Sequence, residues 1–138
     1  MNFDLILGIL QIVLIATTPL VFAGIGELVT EKSGVLNLGV EGMMLVGAVT
    51  AFVTLVITGS YFLAFFISIL SGVFMSGLFA ILVLFLMSNQ IATGLALTIF
   101  GIGLSSMLGK EYIGTPINGL SPWFFVIFSF LIVFLVSY

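Results

Sequence analysis

From Gly42 to Gly109 no residue carries a formal charge, and this neutral run constrains the chain more than any other feature. A bilayer crossing takes about 20 predominantly apolar residues, so the run has room for roughly three. Leu5 to Gly26 and Tyr112 to Tyr138 are also neutral, each with room for about one more crossing. The charges fall between these stretches, at Asp4, Glu27, Glu31, Lys32, Glu41, Lys110 and Glu111. With 62% hydrophobic and 5% charged residues and a mean hydropathy of +1.51, the chain cannot clothe itself in the charged surface of a soluble domain. The expectation is an all-α, polytopic transmembrane helical bundle of about five membrane segments, one of them open to a broken or re-entrant course. Residues 1–138 then form a single transmembrane domain.

The same composition removes whole classes of function. Two basic residues cannot make the patch that nucleic acid requires. There is no cysteine and no histidine, so no disulfide, thiolate nucleophile, imidazole base or common metal ligand is at hand, and neither enzymatic chemistry nor a metal site is expected. The six methionines lack a Met-x-Met pair and suit gap-filling between helices. Gly24-Ile-Gly26-Glu-Leu-Val29 begins like a dinucleotide fingerprint, but Val29 replaces the third glycine and no βαβ pattern surrounds it. Gly109-Lys110-Glu111 lacks the Ser or Thr of a phosphate loop, so no cofactor is expected on this chain. The start of the chain lacks the basic n-region of a signal peptide, and the first apolar run is expected to remain as an anchor.

Five segments follow in order. The first, Leu5 to Gly26, contains Thr17-Thr18-Pro19, where proline removes a backbone donor and favours a kink. The second runs from Val35 to about Ile57. The third, Tyr61 to Met87, carries Ser68, Gly72, Ser76 and Ala80 at a strict four-residue spacing, and the fourth, from Gln90 to Leu108, has Gly101, Ser105 and Gly109. Small-xxx-small ridges of this kind let helices approach closely in lipid, where van der Waals contact supplies much of the association energy. A loop from Gly109 to Pro122 precedes a fifth segment that starts near Trp123. A faint echo between Gly24-Ile-Gly26 and Gly101-Ile-Gly103 is too common a pattern in apolar helices to indicate a repeat.

Two polar groups interrupt the apolar sequence. Asn37 and Glu41 are four residues apart, so within a helix they share a face; a carboxylate at membrane depth costs a few kcal/mol and is retained for a pathway, a partner or a proton. Alternatively residues 34–39 are not helical, Glu41 sits near the true helix start where the dipole favours it, and Asn37 is a cap. Asn89, Gln90 and Thr93 form the second group. They either line the route of a hydroxyl-rich solute through neutral hydrogen bonds or mark a helix N-terminus in which Asn89 caps and Gln90 meets headgroups. Lys32 and Lys110 face opposite sides of the membrane if three full spans separate them, and the same side if residues 33–48 are re-entrant.

The segment Glu31-Lys-Ser-Gly-Val-Leu-Asn-Leu-Gly-Val-Glu-Gly-Met-Met-Leu-Val-Gly-Ala48 resembles a signature stretch of the permease subunits of ABC-type nucleoside and simple-sugar importers, whose wider group includes ribose and branched-chain amino acid permeases. Asn89-Gln-Ile-Ala-Thr-Gly-Leu-Ala-Leu97 is similar to a second stretch of the same proteins, in the same order. Together the two cover about Ala16 to Leu108. The resemblance implies a multi-pass subunit of the plasma (inner) membrane that pairs with a second permease, identical or homologous. It further implies an ABC ATPase subunit that uses ATP, an extracytoplasmic solute-binding protein, and a coupling region after Tyr138, so that this chain corresponds to the N-terminal part of a longer permease. Asn37, Glu41, Asn89, Gln90 and Thr93 are the candidate pathway residues. The alternative is a small proton-coupled multidrug-type exporter that uses Glu41 as the proton-exchanging carboxylate.

Overall fold

In the computed structural model, which describes residues 3–117, helix α1 spans Phe3–Lys32, α2 Val40–Thr58, α3 Tyr61–Ala80 and α4 Gln90–Gly109. A π-helical turn over Ile81–Phe85 prolongs α3, and a 3-10 turn over Lys110–Tyr112 prolongs α4. All four helices are long and apolar enough to cross a membrane. The expected fifth segment near Trp123 lies outside the described residues. Residues Val29–Ile117 make one compact unit, and the helix before Val29 is described by itself.

Helix α1 continues beyond the expected boundary at Gly26 and carries Glu27, Glu31 and Lys32 on its last turns. Nothing in Glu27-Leu-Val-Thr-Glu-Lys opposes helix formation, and the stop comes from Gly34, which adopts φ +83°. The Gly34 N–H donates to the Glu31 carbonyl (2.9 Å) and the Val35 N–H to the Thr30 carbonyl (3.1 Å), the pair of bonds that defines a Schellman ending. Pro19 lies inside the helix. The Thr17 hydroxyl donates to the Val13 carbonyl (2.7 Å), a back-bond that bends helices slightly.

Of the two readings of the second segment, the structure follows the one in which residues 34–39 are not helical: α2 starts at Val40, with Glu41 in its first turn, rather than at Val35. The Schellman ending turns the chain away at Gly34, and the non-helical stretch 35–39 delays the next helix until Gly39 serves as its N-cap. Helix α2 ends where Gly59, at φ +66°, donates its N–H to the Leu55 carbonyl. The Ser60 hydroxyl then accepts from the Leu63 N–H and starts α3, so a two-residue turn folds α2 and α3 into a hairpin.

Helix α2 packs against both α3 and α4, which touch each other far less. On the α3 side, the Ser68 hydroxyl donates to the Gly47 carbonyl (2.9 Å) and the hydroxyls of Thr50 and Ser71 lie 2.9 Å apart. On the α4 side, the contact runs from Gly39 against Gly94, through Gly42 against Leu97, Thr98 and Gly101, to Val49 against Gly109. Positions rising together on both helices make α2 and α4 parallel. Val46, Met75, Phe79, Val83 and Leu97 form the buried core, with Met75 the most enclosed side chain at 1% exposure. The outer faces carry Phe62, Phe65, Phe66, Val73 and Phe74 in the open, as suits side chains whose solvent is acyl chain.

Candidate functional site

The parallel arrangement brings the two polar groups of the sequence to one end of the three-helix unit. Asn89 precedes α4, and its side-chain oxygen accepts from the N–H groups of Ile91 (3.0 Å) and Ala92 (3.1 Å), satisfying donors that a helix start leaves orphaned. Gln90 does not point away toward headgroups. Its Oε1 accepts from the Leu36 N–H at 2.8 Å, tying the stretch before α2 to the first turn of α4. Thr93 is buried, with its hydroxyl 2.7 Å from that of Ser88. Ser88 in turn donates to the Leu82 carbonyl (2.8 Å), which closes the turn between α3 and α4.

Asn37 lies in the non-helical stretch, so it and Glu41 do not share a helical face; the four-residue spacing places side chains together only inside one continuous helix. Nor is Asn37 the cap of α2. Its Oδ1 accepts from the Gly39 N–H (2.9 Å), an Asx turn, and its Nδ2 donates to the Met43 sulfur (3.6 Å). Burial of Asn37 with these partners holds the turn that launches α2. Glu41 occupies the first turn of α2 and is exposed, where the helix dipole favours a carboxylate.

Three residues that the sequence reading did not single out complete the arrangement. Thr98 donates its hydroxyl to the Leu38 carbonyl (2.9 Å). A methyl built on Gly94 would stand 2.9 Å from the Leu38 nitrogen, and one on Gly42 would stand 2.6 Å from the Leu97 carbonyl oxygen, so both must be glycine for the backbones to touch. The available signal was the spacing: Gly39 with Gly42, and Gly94 with Gly101, lie one and two turns apart on single faces. Through these contacts α2 begins alongside Gly94, about 6 Å further along the axis than the start of α4. The stretch 35–39 descends beside α4 to reach it. Its backbone groups are met there by Gln90 and Thr98, as polar backbone packed away from water requires.

The candidate packing residues are spread more widely. Ser68 meets α2, whereas Gly72 has open space around it and Ser76, exposed, donates its hydroxyl to Val73 of its own helix (3.0 Å); Ala80 is half-buried. On α4, Gly101 presses on Gly42, Gly109 touches Val49 and Ser105 is half-buried. No group of three or more His, Cys, Asp or Glu able to hold a metal occurs among the described residues.

Residues 9–138 match the family described as the permease component of branched-chain amino acid transport systems. Over 120 residues, 87% of this chain, it is 43% identical to a Haloferax volcanii protein provisionally named a glucose ABC transporter permease, of which the match covers 36%. It is 32% identical to a nucleoside ABC transporter permease of Lactococcus lactis, over 69% of this chain and 32% of the relative. A guanosine ABC transporter permease of Bacillus subtilis is 27% identical over 79% of this chain and 37% of its own length. The chain thus spans about a third of the length of the curated relatives it matches. No solved structure matches it. The proton-coupled exporter finds no support in these relatives, nor in a Glu41 that is exposed at a helix start.

Proposed function

This chain belongs to the permease-component family of branched-chain amino acid transport systems, and from that premise we propose that it forms the N-terminal membrane part of a permease subunit in an ATP-binding-cassette importer for a nucleoside or simple sugar. The family is one of transport rather than catalysis, and the chain is a multi-pass plasma-membrane protein. ATP is hydrolysed by a separate ATPase subunit, no cofactor is held by this chain, and a second permease and an extracytoplasmic binding protein complete the importer.

The observation that carries the reading is the non-helical connection 35–39, which lies along the first turns of α4 and is bonded to it. A connection that merely joined two anchoring helices would not need its backbone groups tied to a third. Here the connection is pressed onto α4 at its glycines, and it sets Asn37 and Glu41 at one end of the α2–α4 pair with Asn89, Gln90 and Thr93. At that end the exposed Asn89 and Glu41 can offer hydrogen bonds in place of the water of a polyhydroxylated solute, while the buried Asn37 and Thr93 hold the backbone around them.

The test is uptake of labelled guanosine and glucose by cells lacking the intact gene, with and without its restoration. Restoration is expected to recover uptake of one of the two, abolished by ATP depletion and resistant to an uncoupler. Uptake that is unaffected by the gene, or that collapses with the proton gradient alone, would overturn the proposal.

A further inference from the structure

We propose that Gln90 and Thr98 form a two-point clasp that positions residues 35–39, and through them Asn37 and Glu41, for solute passage; this rests on the pathway reading above. At its ends the Val35 N–H donates to the Thr30 carbonyl and the Gly39 carbonyl accepts from the Met43 N–H; between them the stretch is tied to α4. Its Leu36 N–H goes to Gln90 Oε1 at 2.8 Å, and its Leu38 carbonyl accepts from the Thr98 hydroxyl at 2.9 Å. One contact satisfies a donor and the other an acceptor, two turns apart along α4.

Between these two points lies Gly94, whose missing side chain lets the backbone nitrogens of Leu38 and Gly39 come within 2.9 and 3.0 Å of where a Cβ would stand. The stretch is therefore held flat against α4, and the Asn37 turn that it contains is held with it. Neither Gln90 nor Thr98 needs to touch solute for this. Each acts through the backbone it holds, so each is a positioning residue. Thr98 in particular would otherwise be free to satisfy its hydroxyl on the preceding turn of its own helix, as Thr17 and Thr58 do. It bonds across the interface instead.

In the intact transporter, Val35→Cys places a thiol on the half-buried start of the stretch; residues 1–138 contain no other cysteine, and the transporter without this substitution sets the labelling background. Maleimide labelling of this thiol is compared in Thr98→Val, which keeps the shape and loses the donor, and Thr98→Ser, which keeps it. Thr98→Val is expected to speed labelling by about fivefold, the population change that follows from one lost hydrogen bond. Thr98→Ser should leave labelling within about twofold of the parent, a difference too small to represent a lost bond. Gln90→Leu should behave like Thr98→Val, and Gln90→Glu, which retains an acceptor, like Thr98→Ser.

The transport arm uses labelled guanosine and glucose without the thiol. Thr98→Val should raise KM by about fivefold while membrane level and maximal rate stay near the parent's; a loss of membrane level with KM unchanged would mark Thr98 as merely structural and overturn the proposal. Equal labelling in the Val and Ser variants, and in the Leu and Glu variants, would also overturn it. If the parent transporter takes up neither probe, the pathway reading fails, and labelling alone still decides whether the clasp exists.

Discussion

Gly101 faces Gly42 so closely that a methyl group on Gly101 would stand 2.5 Å from the Gly42 carbonyl oxygen. This contact is where the parallel helices α2 and α4 are pressed together. Gly101→Ala gains helix propensity of about 1 kcal/mol, but the clash is with backbone, which cannot swing aside. Overpacking of that kind costs about 1–3 kcal/mol, so a net loss is expected. Gly103→Ala, with nothing within 4 Å of the added methyl, should be neutral or slightly stabilising. Unfolding of the two variants in mild detergent checks the contrast, and equal stability would refute the contact.

The α2–α3 pair is held differently, by hydroxyls rather than glycines. Thr50 and Ser71 sit 2.9 Å apart, yet each also bonds a carbonyl of its own helix. A double-mutant cycle with Thr50→Val and Ser71→Ala should give a coupling of about 0.5–1 kcal/mol, the usual yield of interhelical polar contacts in lipid. A coupling near zero would mean that the two hydroxyls spend their hydrogen bonds on their own helices.

Asn89 accepts from two backbone donors at the start of α4. Asn89→Ala should cost about 1 kcal/mol and Asn89→Asp much less, because aspartate caps as well as asparagine. Thermal unfolding in detergent reads both. Should Asn89→Ala leave stability unchanged while impairing uptake, the residue serves solute rather than the helix.

Three successive spans, α2, α3 and α4, separate Lys32 from Lys110. Helix α2 alone, at 19 residues, is about 28 Å long, close to the roughly 30 Å of a hydrocarbon core. Lys32→Cys and Lys110→Cys should therefore react with a membrane-impermeant thiol reagent from opposite sides. Reaction from the same side would mean that one of the three helices does not cross.

The hydrophobic lengths made α2, α3 and α4 legible in the sequence to within a few residues, because hydrocarbon thickness leaves little choice of span. The start of α2 was less legible. Leu36 and Leu38 are as apolar as the helix that follows, so hydropathy continues smoothly across a backbone that does not; only Gly34 and Gly39 mark the interruption, and glycine is equally common inside these helices. The four-residue ridges include Gly101 but not Gly42, the residue it lies against. Gly42 stands beside Glu41, and the charge drew the functional reading while the glycine beside it makes the contact. Ridge spacing likewise could not distinguish Gly101, which is pressed against backbone, from Gly72, which is open, since a small residue leaves the same trace whether or not another helix fills the space.

The reading of residues 35–42 as a solute route is tested most directly at Glu41. Glu41→Cys in the intact transporter is expected to react with a charged, water-soluble maleimide, and saturating guanosine or glucose, whichever is transported, should slow that reaction severalfold. Reaction confined to lipid-soluble reagents, or a rate indifferent to the transported solute, would contradict it.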